Sequence, residues 1–85
     1  MKTFDEIKQL MAEGETAQAD TALKELLAAE PNNLQAKMLY GTCRRLLGDE
    51  KTFRRIHDEL VVLIKSMPVG GLSTSEKNLW EKFHG

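Results

Sequence analysis

The chain of 85 residues contains a single cysteine, Cys43, and therefore cannot form an internal disulfide. No oxidising compartment is implied, so we expect a cytoplasmic protein. Because neither a second cysteine nor a suitably spaced histidine accompanies Cys43, we expect it to be a small buried residue within a helix. The sequence also lacks a glycine-rich phosphate loop and a paired-histidine metal motif. It therefore predicts no metal, no cofactor and no enzymatic activity.

Long apolar runs are also missing. The longest, from Leu60 to Ile64, is too short to span a bilayer, and the first residues lack the pattern of a secretory signal. Proline and glycine together number eight, too few for a disordered chain, while 41% apolar and 29% charged residues are ordinary for a globular protein. We expect one domain, residues 1–85, without membrane contact.

The net charge of -1 conceals two halves of opposite sign. Residues 1–33 carry three lysines against seven acidic residues, and residues 34–65 carry seven basic residues against four acidic ones. Complementary halves favour self-association, although salt screens this attraction beyond about 8 Å. We expect a homo-oligomer, most simply a dimer.

An internal repeat organises the chain. Two steps of glycine followed by an acidic residue lie 34 residues apart, at Gly14-Glu15 and Gly48-Asp49. Each step separates two stretches whose apolar residues recur at helical spacing. A repeat of this length is typical of helical hairpins that stack into a solenoid.

The chain resembles the tetratricopeptide repeat family over about residues 2–66, more closely in its second unit than in its first. The resemblance is carried by Pro31-Asn32-Asn33, by Ala36 to Tyr40-Gly41, and by Leu47-Gly48-Asp49. It implies an all-α superhelix of helical hairpins that binds a protein or peptide without chemistry. Repeat 1 is expected at about 1–33, repeat 2 at about 34–67, and a C-terminal capping helix at about 74–84.

The match to the family is partial. Gly41 stands where the family has a small residue that lets the next helix pack closely, whereas the first unit has Ile7 there. Chaperone-binding members clamp a carboxylate terminus with lysines and asparagines, and where they have asparagines this chain has Lys8, Leu39 and Thr42. That specificity is therefore not implied.

Capping signals divide the chain into five predicted helices. Thr3 and Ser73 each precede a glutamate by three residues, which is a capping-box pattern. Asn33 and Asp49 are predicted N-caps of the third and fourth helices. Gly48 is predicted to end the third helix, because glycine tolerates the left-handed backbone of a helix stop.

The fourth predicted helix is apolar nearly all round in its last two turns, because Val61 and Val62 lie beside its main apolar face. We expect the fifth helix to cover this end through Leu79, Trp80 and Phe83. The segment 67–72, with one proline and two glycines, is the predicted hinge. Whether the fifth helix caps its own chain, exchanges with a second copy or binds another protein stays open.

In the tetratricopeptide family the first helix of each unit lines a concave groove. The resemblance and the helical spacing together predict a peptide-binding groove of Phe4, Lys8, Met11, Gln35, Met38, Thr42 and Arg45. Methionine adapts to irregular apolar partners, so we expect an amphipathic peptide or helix there. Two alternatives stay open: Phe4 and Met38 pack against each other, or a second copy fills the groove.

Five basic residues flank the turn at Gly48: Arg44, Arg45, Lys51, Arg54 and Arg55. An antiparallel helix pair would gather them at one end, which is the basis of an alternative hypothesis of phosphate or nucleic-acid binding. Acidic neighbours dilute this patch, and no aromatic residues for base stacking are interleaved. A solvated face with local ion pairs is the simpler interpretation, so we do not expect nucleic acid as a partner.

Overall fold

The computed structural model describes residues 1–68 and 70–84, apart from the side chain of His84. Five helices follow one another, and the described residues contain no strand: α1 (Phe4–Ala12), α2 (Thr16–Ala29), α3 (Leu34–Leu46), α4 (Glu50–Lys65) and α5 (Thr74–His84). The predicted all-α fold of about five helices is confirmed. Val69, within the predicted hinge, and Gly85, at the end of the predicted domain, lie outside the described residues.

The predicted caps explain where α1, α3, α4 and α5 begin, whereas α2 begins without a side-chain cap. Thr3 and Glu6 form a capping box at α1, in which the Glu6 amide donates to the Thr3 hydroxyl and the Thr3 amide donates to the Glu6 carboxylate. Ser73 and Glu76 exchange the same two bonds at α5. The Asn33 side chain accepts from the Ala36 amide at 3.0 Å at the start of α3.

Two turns 34 residues apart have the same backbone hydrogen bonds. Glu15 N–H donates to the Leu10 carbonyl and Gly14 N–H to that of Met11, while Asp49 and Gly48 repeat the pattern on Arg44 and Arg45. Both glycines have positive φ, 80° and 91°, which a side-chain-bearing residue adopts only at a cost. This is the Schellman geometry of a helix end. The repeat in sequence is therefore a repeat in backbone conformation.

Helix α3 lies between two apolar clusters. One face of α3 packs on α1 and α2, where the largest buried side chains are Ile7 and Leu23. The other face packs on α4 and α5 through Met38, Ile56 and Leu60, with Phe83 from α5. The first four helices pack in chain order, α1 on α2, α2 on α3 and α3 on α4, and α5 packs back against α3. Removing α5 would uncover the second cluster.

The contact surface of α5 differs in part from the prediction. Phe83 is 6% exposed, and its ring lies 5.0 Å from that of Phe53 in α4, so the expected aromatic docking is present. Val62, however, is 64% exposed. The expectation that α5 covers Val62 is wrong, because α5 packs on the face of α4 that carries Phe53 and His57.

None of the five helices in the described part of the chain combines the length and hydropathy that crossing a bilayer requires.

Candidate interaction groove

A groove of about 510 Å³ runs between α1, α3 and α5. Each helix contributes residues from one face, most of them three or four positions apart. The lining residues are Phe4, Asp5, Lys8 and Met11 from α1, Gln35 and Leu39 from α3, and Ser75, Asn78, Leu79 and Lys82 from α5.

The floor of the groove is apolar. Leu39 is 8% exposed and belongs to the first core cluster, and Phe4, Met11 and Leu79 pack against that cluster while half-exposed. The floor is thus an outer surface of the core. An apolar group placed there would cover side chains that are already held in position by packing.

The rim of the groove is polar. Lys8 and Lys82 are exposed on opposite sides, from α1 and α5, and Asp5 is the one acidic residue among those that line it. Gln35 and Asn78 add amide groups that both donate and accept hydrogen bonds. The Lys8 ammonium lies 5.8 Å from the Phe4 ring centroid, within the range of a cation–π contact. The rim therefore carries net positive charge.

Four of the seven groove residues predicted from sequence lie together: Phe4, Lys8, Met11 and Gln35. Met38 is fully buried in the second core cluster, so its predicted exposure in a groove is wrong. The predicted groove face of α3 was therefore displaced by about one residue. Helix α5 covers the side of α3 that carries Met38, and the neighbouring side with Gln35 and Leu39 borders the groove. The alternative in which Phe4 and Met38 pack against each other is not supported either, since Phe4 packs against the first core cluster and Met38 belongs to the second.

Thr42 and Arg45 also lie outside the residues that line the groove. The Thr42 hydroxyl donates to the Met38 carbonyl at 3.0 Å, which uses it within its own helix. The Arg45 guanidinium lies 4.9 Å from the Phe53 ring centroid, on α4. Both residues therefore serve contacts of α3 other than the groove.

Sequence reasoning missed the α5 wall of the groove. Ser75, Asn78 and Lys82 recur at spacings of three and four, which was a detectable polar stripe on one helix face. What the sequence could not supply was the side of α3 on which α5 docks.

The basic cluster does not form one open patch. Arg44 lies against α2, where its Nη2 donates to Asp20 Oδ2 at 3.2 Å and its Nε lies 3.1 Å from Oδ1. The Nε contact is too bent for a hydrogen bond and is an ion pair. Arg44 Nη1 also lies 3.6 Å from Asp49. Two carboxylates therefore compensate this guanidinium.

The other basic residues of the cluster point in different directions. Arg45 covers Phe53, while Lys51, Arg54 and Arg55 are exposed on α4. Arg55 lines a separate shallow depression with Tyr40 and residues of α2 and α3. The structure thus divides the five residues among at least three surroundings.

Asp20 is a buried carboxylate that sequence reasoning missed. Its side chain is 7% exposed and is held by Arg44 from the second unit and by Lys24, 3.6 Å away, from its own helix. The sequence did contain an indication of this burial, because Asp20 lies beside Ala19 and three residues before Leu23, on the buried side of α2. An acidic residue there needs a compensating cation.

Cys43 lies inside the fold, as expected. Cys43 is fully buried, and its Sγ lies 3.2 Å from Met11 Sδ under the groove floor. Burial, and secondarily the Asp20 carboxylate, raises the pKa of the Cys43 thiol to about 11. It is therefore a neutral thiol near pH 7. His57 is half-exposed and stacks on Trp80 and Phe83.

Comparison with protein-family models, with curated proteins and with solved structures found no match to this chain.

Proposed function

We propose that the protein is a non-enzymatic interaction module that binds an amphipathic peptide or helix in the groove between α1, α3 and α5. One observation carries the proposal: an apolar floor and a rim of charged and amide side chains share a single depression. The apolar floor would bury apolar surface of a bound peptide, and the polar rim would fix the orientation of that peptide. Two lysines against one aspartate favour a partner with acidic residues beside its apolar face.

We further propose that the two helical hairpins are a tetratricopeptide-like pair and that the protein acts as a cytoplasmic adaptor. Support comes from the two turns with equivalent hydrogen bonds 34 residues apart.

The direct test uses helical peptides selected by display on the wild-type protein and measured by fluorescence anisotropy. Lys8→Ala and Lys82→Ala should each weaken binding about two- to fivefold, as loss of one exposed charge contact does. Lys77→Ala is the matched control, because Lys77 is also an exposed lysine of α5 but lines a different depression. Equal losses in all three variants, or none, would contradict the proposed site.

Phosphate or nucleic-acid binding through the arginine cluster is the competing function. The ion pairs of Arg44 with Asp20 and Asp49 weigh against it. Labelled oligonucleotides titrated at low and at physiological salt separate the two functions, because phosphate contacts lose affinity steeply with salt. We expect no binding at physiological salt. Tight, salt-dependent binding there would favour the competing function.

A further inference from the structure

The outer face of α4 carries an exposed apolar patch near its C-terminal end. Val62 is 64% exposed and Leu63 is 40% exposed. With Asp58 and Glu59 they line a shallow depression of about 540 Å³. None of these four residues lines the groove between α1, α3 and α5. The patch is therefore a second surface, separate from the proposed binding site.

The charges around Val62 are arranged to complement themselves. Glu59 lies three residues before Val62 and Lys65 three residues after it, and both are exposed. Residues three apart are neighbours on a helix surface. If a second α4 packed antiparallel across a two-fold axis at Val62, each Glu59 would face Lys65 of the second copy, and the two Val62 side chains would meet.

We infer that the protein forms a symmetric homodimer through antiparallel packing of the outer faces of α4, with Val62 at the two-fold axis. A symmetric contact places the same patch on both copies, so the patch must complement itself. In this register Val62 meets Val62 and Glu59 meets Lys65, while Asp58 faces the neutral Ser66. A different register, with Arg55 facing Asp58 of the second copy, would place Val62 against Lys51. The register centred on Val62 pairs apolar with apolar.

The dimer leaves both grooves open, because α4 contributes no residue to the groove lining. A dimer with two grooves would bind two partner segments, or one partner that carries two of them, with added avidity. Groove binding does not depend on this dimer. A monomeric variant that still binds peptide would separate the two proposals.

Sedimentation equilibrium over about 1 to 500 µM is the first test, since a contact between two single helices is expected to be weak. The wild-type protein should dimerise with increasing concentration. Val62→Glu should weaken dimerisation at least tenfold, with unchanged helicity by circular dichroism. Leu46→Glu is the matched control, because Leu46 is also 64% exposed but lies at the end of α3. A wild-type monomer throughout, or equal effects of both variants, would overturn the inference.

A charge exchange tests the orientation of the helices. Glu59→Lys and Lys65→Glu should each weaken dimerisation about two- to fivefold, by replacing an attraction with a repulsion. The double variant restores opposite charges across the interface and should recover the wild-type dissociation constant. Additive weakening in the double variant would contradict the antiparallel arrangement.

A disulfide tests the position of the axis. Val62→Cys places two cysteines next to the two-fold axis, so mild oxidation should link the copies through residue 62. The native Cys43 is fully buried and should not compete. Lys51→Cys is the comparison, because Lys51 would lie far from its own symmetry mate in this register. Linking through position 51 but not 62 would overturn the proposed dimer.

Discussion

At the scale of single residues, the contact between Asp20 and Arg44 joins the two repeats. Asp20 belongs to α2 and Arg44 to α3, and the carboxylate is 7% exposed. A buried carboxylate is unfavourable without a compensating cation, so each partner makes the burial of the other tolerable. The same contact withdraws Arg44 from any surface ligand. One ion pair therefore affects both the fold and the choice between the two functions.

Replacement of Arg44 by alanine should strongly destabilise the protein. Asp20 would be left as a buried carboxylate with Lys24 alone near it. We expect the free energy of unfolding in urea to fall by about 2 to 4 kcal/mol. Arg54→Ala, at an exposed position of α4, should change it by less than about 0.5 kcal/mol.

A double-mutant cycle compares Arg44→Ala and Asp20→Ala, each alone, with the variant that carries both substitutions. The double variant should lose less unfolding free energy than the two single variants together, because neither charge is then buried without its partner. Additive losses would show that the pair does not act as a unit.

At the scale of helices, side-chain caps stabilise the starts of α1, α3, α4 and α5. Asp49 starts α4, and its carboxylate accepts bonds from the Thr52 hydroxyl and from the Thr52 amide at 3.1 Å. These bonds, the hydroxyl one first, lower the pKa of Asp49 below its ordinary value of 3.8. Bonds from Thr3 likewise lower the pKa of Glu6 below 4.5 at α1. The ionised caps are therefore the stabilising forms.

Stability should decrease in acid as these caps take up protons. A carboxyl group with a lowered pKa in the folded state stabilises the fold above its ordinary pKa, and this contribution is lost as pH falls through the lowered value. Asp49→Asn removes the titration and keeps a capping side chain. The stability difference from the wild type, measured by urea unfolding, should therefore shrink as pH falls below 3.8. A difference that stays constant from pH 7 to pH 2 would contradict this role.

Docking of α5 depends on Gly41. A Cβ atom at this position of α3 would lie 2.7 Å from Cε1 and 2.9 Å from Cζ of Phe83. Because Phe83 is packed in the second core cluster, Gly41→Ala should displace α5 despite the higher helix propensity of alanine. We expect a net loss of about 1 to 2 kcal/mol in unfolding free energy and a change in Trp80 fluorescence.

The contact between Gly41 and Phe83 is isolated by repeating Gly41→Ala in a protein that carries Phe83→Leu. Because leucine lacks the ring edge that would clash, Gly41→Ala should then hardly change the unfolding free energy. If Gly41→Ala is equally harmful in both backgrounds, the Phe83 contact is not its cause.

The limits of the sequence are clearest at this scale. Helix starts at Thr3, Asn33, Asp49 and Ser73 were predictable because a cap is a local interaction within four residues. The side of α3 that α5 would cover was not predictable, because it depends on long-range fit such as that of Phe83 to Gly41. For this reason Met38 was predicted in the groove, whereas the structure places it in the core.

At the scale of the whole molecule, α3 is the central element. One face joins the core of the first unit, another joins α4 and α5, and Gln35 and Leu39 open onto the groove. The groove is therefore built on the best-packed helix of the chain, with α1 and α5 as its walls. The outer face of α4 remains free for a second copy.

The most direct test of the groove is a chemical-shift map of the labelled protein with a display-selected peptide. We expect the largest amide shifts at Lys8, Met11, Gln35, Asn78 and Lys82, in a pattern that joins α1, α3 and α5. Gln18 and Lys24 of α2 should stay unchanged. Largest shifts on α2, or on Arg54 and Arg55 of α4, with an undisturbed groove would contradict the account.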